Sequence, residues 1–186
     1  MTDRMMPAFW QAPEQGAMIG RLLAGYGELE FEMGRCLGVT TRGDPEAGVR
    51  ELFSERGEKE RIRKVRKGML PEYERIGLRK ECETALGDME WCRDVRNQYA
   101  HRAWYYTDSE GLGFVNLEKV VNVPGQLMDG RRMLNLVLLD EQEAFFRYVQ
   151  RSFWYLEAMY DKSLGKMHNK DFLTPLKRLS RPKKHL

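Results

Sequence analysis

Residues 78–107 read LRKECETALGDMEWCRDVRNQYAHRAWYYT, and their hydrophobic period changes near residue 101. Before that point, apolar residues recur every three or four positions, which is the spacing of one helix face. They are Leu78, Cys82, Ala85, Met89, Cys92, Val95 and Tyr99. After it, residues 102–107 form a short aromatic run of the kind enriched in strands. This stretch predicts a long helix, opened by Pro71 and ending near Ala103, that leads directly into a sheet.

The sequence that follows predicts the remainder of that sheet and one more helix. Residues 112–117 (LGFVNL) and 132–139 (RMLNLVLL) are short and rich in residues that favour strands, and Asp, Gly and Pro separate them. A small antiparallel hairpin with a third strand is expected. Asp140 then marks the start of the last helix, because Glu143 completes a capping box with it. This helix should end near Gly165.

The sequence before residue 78 predicts two more helices. Apolar residues from Ile19 to Leu37 recur at helical spacing and predict a helix over 14–38. Asp44 followed by Pro45 is an N-terminal signal, and a charged second helix should run from there to about Lys67.

Together these patterns predict a mainly α fold. We expect an antiparallel bundle of about four helices, with a β-hairpin or three-stranded insertion between helices three and four. The domain organisation follows as a loose lead-in over 1–13, one domain over 14–165 and a basic tail over 166–186.

Composition narrows the class of protein. The 186 residues are 42% hydrophobic and 32% charged with a net charge of +3, which is a globular composition and excludes disordered acidic or collagen-like chains. No segment approaches the roughly 20 apolar residues of a membrane span. The opening MTDRMMPAFW lacks the features of a secretory signal, so we expect a cytoplasmic protein without a membrane anchor.

Neither a disulfide framework nor a metal site is expected. The three cysteines are widely spaced and odd in number, and there is no CxxC or HxxxH pair. No phosphate-binding glycine loop of the GxxxxGK type occurs either. No metal or cofactor is therefore predicted.

Two charged residues fall on apolar helix faces. Glu30 lies on the stripe of the first helix, and Arg96 is centred on the stripe of the third. A lone buried charge is costly and usually has a partner, so the two are candidates for one ion pair. Such a pair can be purely architectural, because buried ion pairs need not be catalytic.

The residues around Arg96 suggest chemistry as well. The segment Arg96-Asn97-Gln98-Tyr99-Ala100-His101 places Asn97 and His101 four residues apart, on one helix face. Arginine binds phosphate oxygens in a bidentate manner, histidine exchanges protons near neutral pH, and asparagine can orient either group. We interpret Arg96, Asn97 and His101 as a candidate phosphodiester site, with Glu30 in support.

This segment resembles the R-x4-6-H motif of the HEPN superfamily, in the form where a polar residue follows the arginine. The resemblance covers roughly residues 14–163 and implies a helical homodimer that cleaves RNA without metal, often as a toxin or defence effector. It implies that His101 is the general acid or base, that Arg96 stabilises the phosphoryl charge, and that Asn97 holds the phosphate or the imidazole. Glu30 matches a polar residue that often faces the motif. RNA, and a protein antitoxin or regulator, would be the partners.

Two other functions remain open. His101 can simply cap a helix C-terminus, where a cation is favourable, and Asn97 can be an ordinary helix-end residue. The chain would then be a non-enzymatic helical dimer that binds a partner or small ligand.

The tail suggests the third function, nucleic-acid binding. From Lys162 onward there are eight basic residues and one acidic residue. The candidate phosphate contacts are Lys177, Arg178, Arg181, Lys183 and Lys184. A disordered, solubilising terminus would have the same composition.

Overall fold

The computed structural model describes residues 7–117, 130–166 and 170–185. It is mainly helical, with a three-stranded antiparallel sheet between the last two long helices, so the predicted fold class is confirmed. In chain order the elements are α1 (Pro7–Gln11), α2 (Pro13–Arg42), α3 (Pro45–Phe53), α4 (Glu58–Arg75), α5 (Arg79–Ala100), β1 (Ala103–Thr107), β2 (Gly111–Val115), β3 (Arg131–Met133), α6 (Leu136–Ser163) and a 3-10 helix (Lys170–Leu173).

The sheet has the order β1-β2-β3, and both pairings are antiparallel. The turn between β1 and β2 ends at Gly111, whose φ of 81° favours glycine. Tyr105 lies opposite Gly113, and a side chain at Gly113 would overlap the Tyr105 ring. Trp104 pairs with Phe114 on the other face of the sheet. The hairpin therefore presents two different faces, because successive side chains along a strand alternate.

The start of α5 differs from the prediction. Pro71 lies inside α4 instead of opening the next helix. The break comes at Gly77, which has a φ of 77° and ends α4 in a Schellman motif. The Leu78 N–H donates to the Tyr73 carbonyl at 2.7 Å, and the Gly77 N–H donates to the Glu74 carbonyl at 3.0 Å. Glycine determined this boundary because it adopts the left-handed conformation without steric cost.

The predicted second helix is two helices. Asp44 caps α3 as expected, since its side chain accepts the Glu46 N–H at 3.0 Å. The helix then ends at Ser54, and a new helix begins after Gly57, whose extended backbone serves as the N-cap of α4. One continuous helix to Lys67 was therefore wrong, because the charged run from residue 55 hides this break.

The predicted boundaries also differ from the structure in the lead-in and at the start of α6. The lead-in contains the short helix α1, whose Ala8 is buried. The strand predicted over 132–139 is shorter, because α6 begins at Leu136 and not at Asp140. Asn135 caps α6 by accepting the Leu138 N–H at 3.2 Å, so this asparagine is the start signal that sequence analysis missed.

Contacts divide the chain into two compact units, which are described separately. The first unit comprises the described residues of Met1–Ala24, Asp94–Ala144 and Pro182–Leu186. The second comprises those of Gly25–Arg93 and Phe145–Arg181. The long helices α2, α5 and α6 contribute residues to both units.

Aromatic rings form much of the core of the first unit. Trp104 lies 5.0 Å from Phe9 and 5.4 Å from Phe114, measured between ring centroids. Tyr99 packs edge-on against Phe114 at 5.9 Å. These contacts join α1, the end of α5 and the sheet, and they fix the backbone on both sides of His101.

The second unit has an aliphatic and aromatic core. Its fully buried large side chains include Leu37, Leu52, Ile62, Met69, Tyr73 and Phe153. Gly38 and Gly48 allow α2 and α3 to approach closely, because a side chain on either would overlap the other helix. Cys36, Cys82 and Cys92 are free and buried. Burial raises the pKa of the Cys82 thiol to about 12, which fits small core residues rather than reactive thiols.

Along the described ranges, no helix combines the length and the apolar character that a membrane crossing requires.

Candidate functional site

The structure places Arg96 and Asn97 near the C-terminal end of α5, in direct contact. The Arg96 Nη1 donates to the Asn97 Oδ1 at 2.8 Å. Both side chains are half-buried, so they are held in place but remain within reach of solvent. Because the carboxamide oxygen of Asn97 accepts from Arg96, the amide nitrogen of Asn97 points away from Arg96 and can donate its N–H groups to another molecule. Two neighbouring residues thus offer guanidinium and amide N–H donors, and both types can bind an oxyanion.

His101 follows α5 immediately and lies in a turn between the helix and β1. It is exposed, so its imidazole is accessible to a substrate. Its backbone carbonyl accepts from the Arg102 Nη1 at 3.2 Å, which satisfies one of the carbonyls left open at the helix end. The position is compatible with both interpretations of His101, as a proton-transfer group and as a cation favoured at a helix C-terminus.

The polar surface beside this motif is held by the end of the chain. The Lys184 Nζ lies 2.8 Å from the Asp94 Oδ2, three residues before Asn97. The Gln98 side-chain amide donates to the His185 carbonyl. Asp94 and Gln98 are four residues apart and share one face of α5, and Asp94 also lies one turn before Asn97. Lys184 and His185 therefore lie beside the candidate site.

Glu30 is buried, as its place on the apolar stripe predicts, and it belongs to the second unit. Its Oε1 lies 2.8 Å from the Nη1 of Arg61 on α4. Arg61 also donates from Nε to the Glu55 carbonyl at 2.8 Å. Arg61 is thus the partner that sequence analysis missed, and the pairing of Glu30 with Arg96 stays a prediction.

Two tail arginines bind a buried carboxylate of the second unit. Asp88 has a side chain only 1% exposed, and its Oδ1 lies 2.9 Å from the Arg178 Nη2 and 2.9 Å from the Arg181 Nε. The Arg178 Nη1 also contacts the Asp88 Oδ2. These hydrogen bonds raise the pKa of Arg178. Asp88 and its arginines form the tail anchor, and sequence analysis did not assign Asp88 a role.

The rest of the described tail is also docked. Phe172 in the 3-10 helix packs against Trp154 of α6, with ring centroids 5.6 Å apart. Of the five residues predicted to contact nucleic acid, Arg178, Arg181 and Lys184 bind carboxylates of the protein itself, whereas Lys177 and Lys183 are exposed. These three basic residues, which suggested contact with a polyanion, therefore attach the tail to the rest of the protein.

A metal site finds no support in the described ranges, where no cluster of three or more His, Cys, Asp or Glu residues is positioned to hold an ion. The groups present at the motif are a guanidinium, a carboxamide and an imidazole. These groups can bind an anion and transfer a proton.

Comparison of the chain with known protein families, with curated proteins and with solved structures found no match. The family resemblance consequently depends on the motif and on the position of that motif in the helical fold.

Proposed function

We propose that this protein is a HEPN-like, metal-independent endoribonuclease whose site is formed by Arg96, Asn97 and His101. The observation that carries the proposal is the contact of Arg96 with Asn97 near the end of α5, with an exposed His101 four residues after Asn97. This arrangement joins a permanent cation, an oriented amide and a titratable group at an accessible helix end.

The reaction is attack of a ribose 2′-OH on the adjacent phosphorus. The O2′–P bond forms and the P–O5′ bond breaks, which gives a 2′,3′-cyclic phosphate and a 5′-OH. One proton leaves the 2′-OH and one is delivered to the departing O5′. His101 acts as the general base or general acid, a role typically worth 10²- to 10⁴-fold in rate.

Arg96 and Asn97 act on the phosphoryl group. The Arg96 guanidinium binds the non-bridging oxygens, where negative charge increases in the transition state, and a well-placed donor of this kind contributes roughly 3–4 kcal/mol. Asn97 accepts from Arg96 through Oδ1 and offers its amide N–H groups to the substrate. Arg96 is thereby oriented before RNA binds, which reduces the entropic cost of binding.

The proposal includes a homodimer, because a second copy of the motif supplies a second imidazole for the opposite proton transfer. Light scattering after gel filtration tests this part and should give twice the 21.9 kDa chain mass. A monomeric mass with cleavage activity would remove the dimer but retain the chemistry.

The test is cleavage of a mixed RNA pool by the purified full chain in excess EDTA. His101→Ala should abolish cleavage, and Asn97→Ala should reduce it. Arg96→Lys should lose most of the rate, because lysine keeps the charge but not the planar pair of donors. His168→Ala, at a histidine outside the described residues, is the matched control and should cleave as the wild type does.

Equal cleavage by wild type and His101→Ala would refute the assignment of His101. No cleavage of any RNA by the wild type would favour the non-enzymatic dimer. That candidate includes Glu30 and Arg96 as a structural ion pair, whereas the described ion pair of buried Glu30 is with Arg61.

A further inference from the structure

The last described residues, 182–185, contact α5 beside Arg96 and Asn97, within the first unit; this segment is called the strap. Lys184 binds Asp94 at 2.8 Å, and Gln98 donates to the His185 carbonyl. Asp94 lies one turn before Asn97 on α5, and Gln98 directly follows Asn97 in the chain. The strap therefore occupies surface that a substrate of the candidate site would otherwise reach.

The imidazole of His185 joins the strap to two helices. Its Nε2 lies 3.1 Å from the backbone nitrogen of Asn135, the N-cap of α6, and accepts that N–H. An accepting Nε2 carries no proton, so Nδ1 carries it and donates to the Tyr99 Oη at 2.7 Å. This fixes the imidazole as neutral and as the Nδ1–H tautomer.

The chain of hydrogen bonds continues back to the strap. The Tyr99 hydroxyl donates to the Gln142 Oε1 at 2.6 Å, and the Gln142 Nε2 donates to the Lys183 carbonyl at 2.9 Å. Gln142 is fully buried, so these bonds replace its contacts with water. With a neutral His185, every donor in this chain faces an acceptor.

Protonation of His185 breaks this pattern. An imidazolium has N–H groups on both nitrogens and cannot accept the Asn135 N–H. It would also place a positive charge at the N-terminus of α6, where the helix dipole is unfavourable to cations. Burial lowers the pKa of His185 from its ordinary value of 6.5, in agreement with a site that favours the neutral form.

Among the residues that the structure describes, one titratable side chain contacts the imidazole of His185. The described contacts of the imidazole are with the Tyr99 hydroxyl, the Asn135 N–H and the Phe114 ring, and Gln98 contacts the backbone carbonyl of His185. Of these, Tyr99 titrates, and burial raises its pKa, so it keeps its proton. The adjacent charges, Lys184 and Asp94, form an ion pair with each other.

We propose that residues 182–185 are a pH-responsive clamp, closed on α5 while His185 is neutral and released when His185 is protonated. Release would uncover the helix face beside Asn97 and His101. The clamp itself does not depend on the proposed ribonuclease activity, whereas its control over access to the site does.

The direction of the pH dependence follows from the lowered pKa. The closed clamp binds the proton more weakly than the open one, so closure is at full strength above pH 6.5 and weakens as the pH falls below it. This is the range in which the charge of histidine changes.

Nitrogen NMR of the full chain carrying ¹⁵N-labelled histidine tests the clamp. We expect the Nδ1–H tautomer for His185, a titration midpoint below pH 6.5, and an Asn135 amide resonance that moves with that midpoint. His185→Gln should make the Asn135 resonance independent of pH, because the amide oxygen accepts without titrating. His101→Gln, which leaves the clamp intact, should keep the transition.

The Nε2–H tautomer, or an Asn135 resonance that does not follow His185, would overturn the proposal. A second measurement removes the imidazole. At pH 8, the Asn135 amide should exchange with deuterium faster in His185→Ala than in the wild type or His185→Gln, and equal rates would contradict the clamp. If the protein shows the pH transition but cleaves no RNA, the clamp is supported and the proposed function is refuted. If it cleaves RNA but shows no pH transition, the clamp alone is refuted.

Discussion

Replacement of Arg61 by methionine tests the structure at its buried ion pair. The Glu30 side chain is 8% exposed and that of Arg61 is 17% exposed, so the variant leaves a carboxylate buried without its partner. Breaking such a pair costs about 3–5 kcal/mol, and the partial exposure of Arg61 places the expected loss near the lower limit, at about 3 kcal/mol. For a chain of this length, that loss corresponds to a decrease in Tm of roughly 6–12 °C.

The assay is urea unfolding followed by circular dichroism, with matched variants. Arg50→Met removes an arginine whose side chain is 67% exposed, and it should change the free energy of unfolding by less than about 0.5 kcal/mol. The double variant Glu30→Gln/Arg61→Met should recover part of the loss, because the unpaired charge is gone. If Arg61→Met behaves as Arg50→Met does, whereas Arg96→Met is strongly destabilising, the assignment of the Glu30 partner is refuted.

Two further predictions concern the tail anchor and the helix boundary. Asp88→Asn should cost about 2 kcal/mol, since the charge-assisted hydrogen bonds are lost while the arginines regain water, and trypsin should cut the tail faster. Glu83→Gln, which alters an exposed ion pair, is the control, and equal proteolysis of the two would contradict the anchor. Gly77→Ala should lose about 1 kcal/mol in urea unfolding, because its φ of 77° is strained for alanine. Gly27→Ala, in open space on α2, should be neutral or stabilising, and the opposite order would show that α4 does not end in this motif.

The spacing of apolar residues predicted the long helices and the sheet, because the pattern of each element lies within its own stretch of sequence. The predicted helix boundaries were wrong where a single residue determines the end or the start of a helix. Pro71 is compatible with a helix start as well as with its observed place inside α4, and only the backbone of Gly77 distinguishes the two. Asn135 was hidden within an apolar run that resembles a strand.

Partners across the fold were harder to predict than elements. The helical stripe showed that Glu30 is buried, but it contains no information on which of many arginines is near, and Arg61 lies on another helix. The tail contacts were missed for the same reason, because Asp88 and Arg178 are 90 residues apart and no local pattern relates them. Gln142 lies three and four residues from apolar residues on both sides, so its position predicts an amide on the apolar face of α6, and a buried amide requires hydrogen-bond partners.

The central claim, ribonuclease chemistry at Arg96, Asn97 and His101, is tested most directly by the ends of the RNA products. Wild type and His101→Ala would be incubated in EDTA with an RNA that the wild type cleaves, and with the same RNA carrying a 2′-deoxy nucleotide at the cleaved position. We predict 2′,3′-cyclic phosphate and 5′-OH ends from the wild type alone, and no cleavage at the deoxy position. Cleavage at the deoxy position, or identical products from His101→Ala, would contradict the claim.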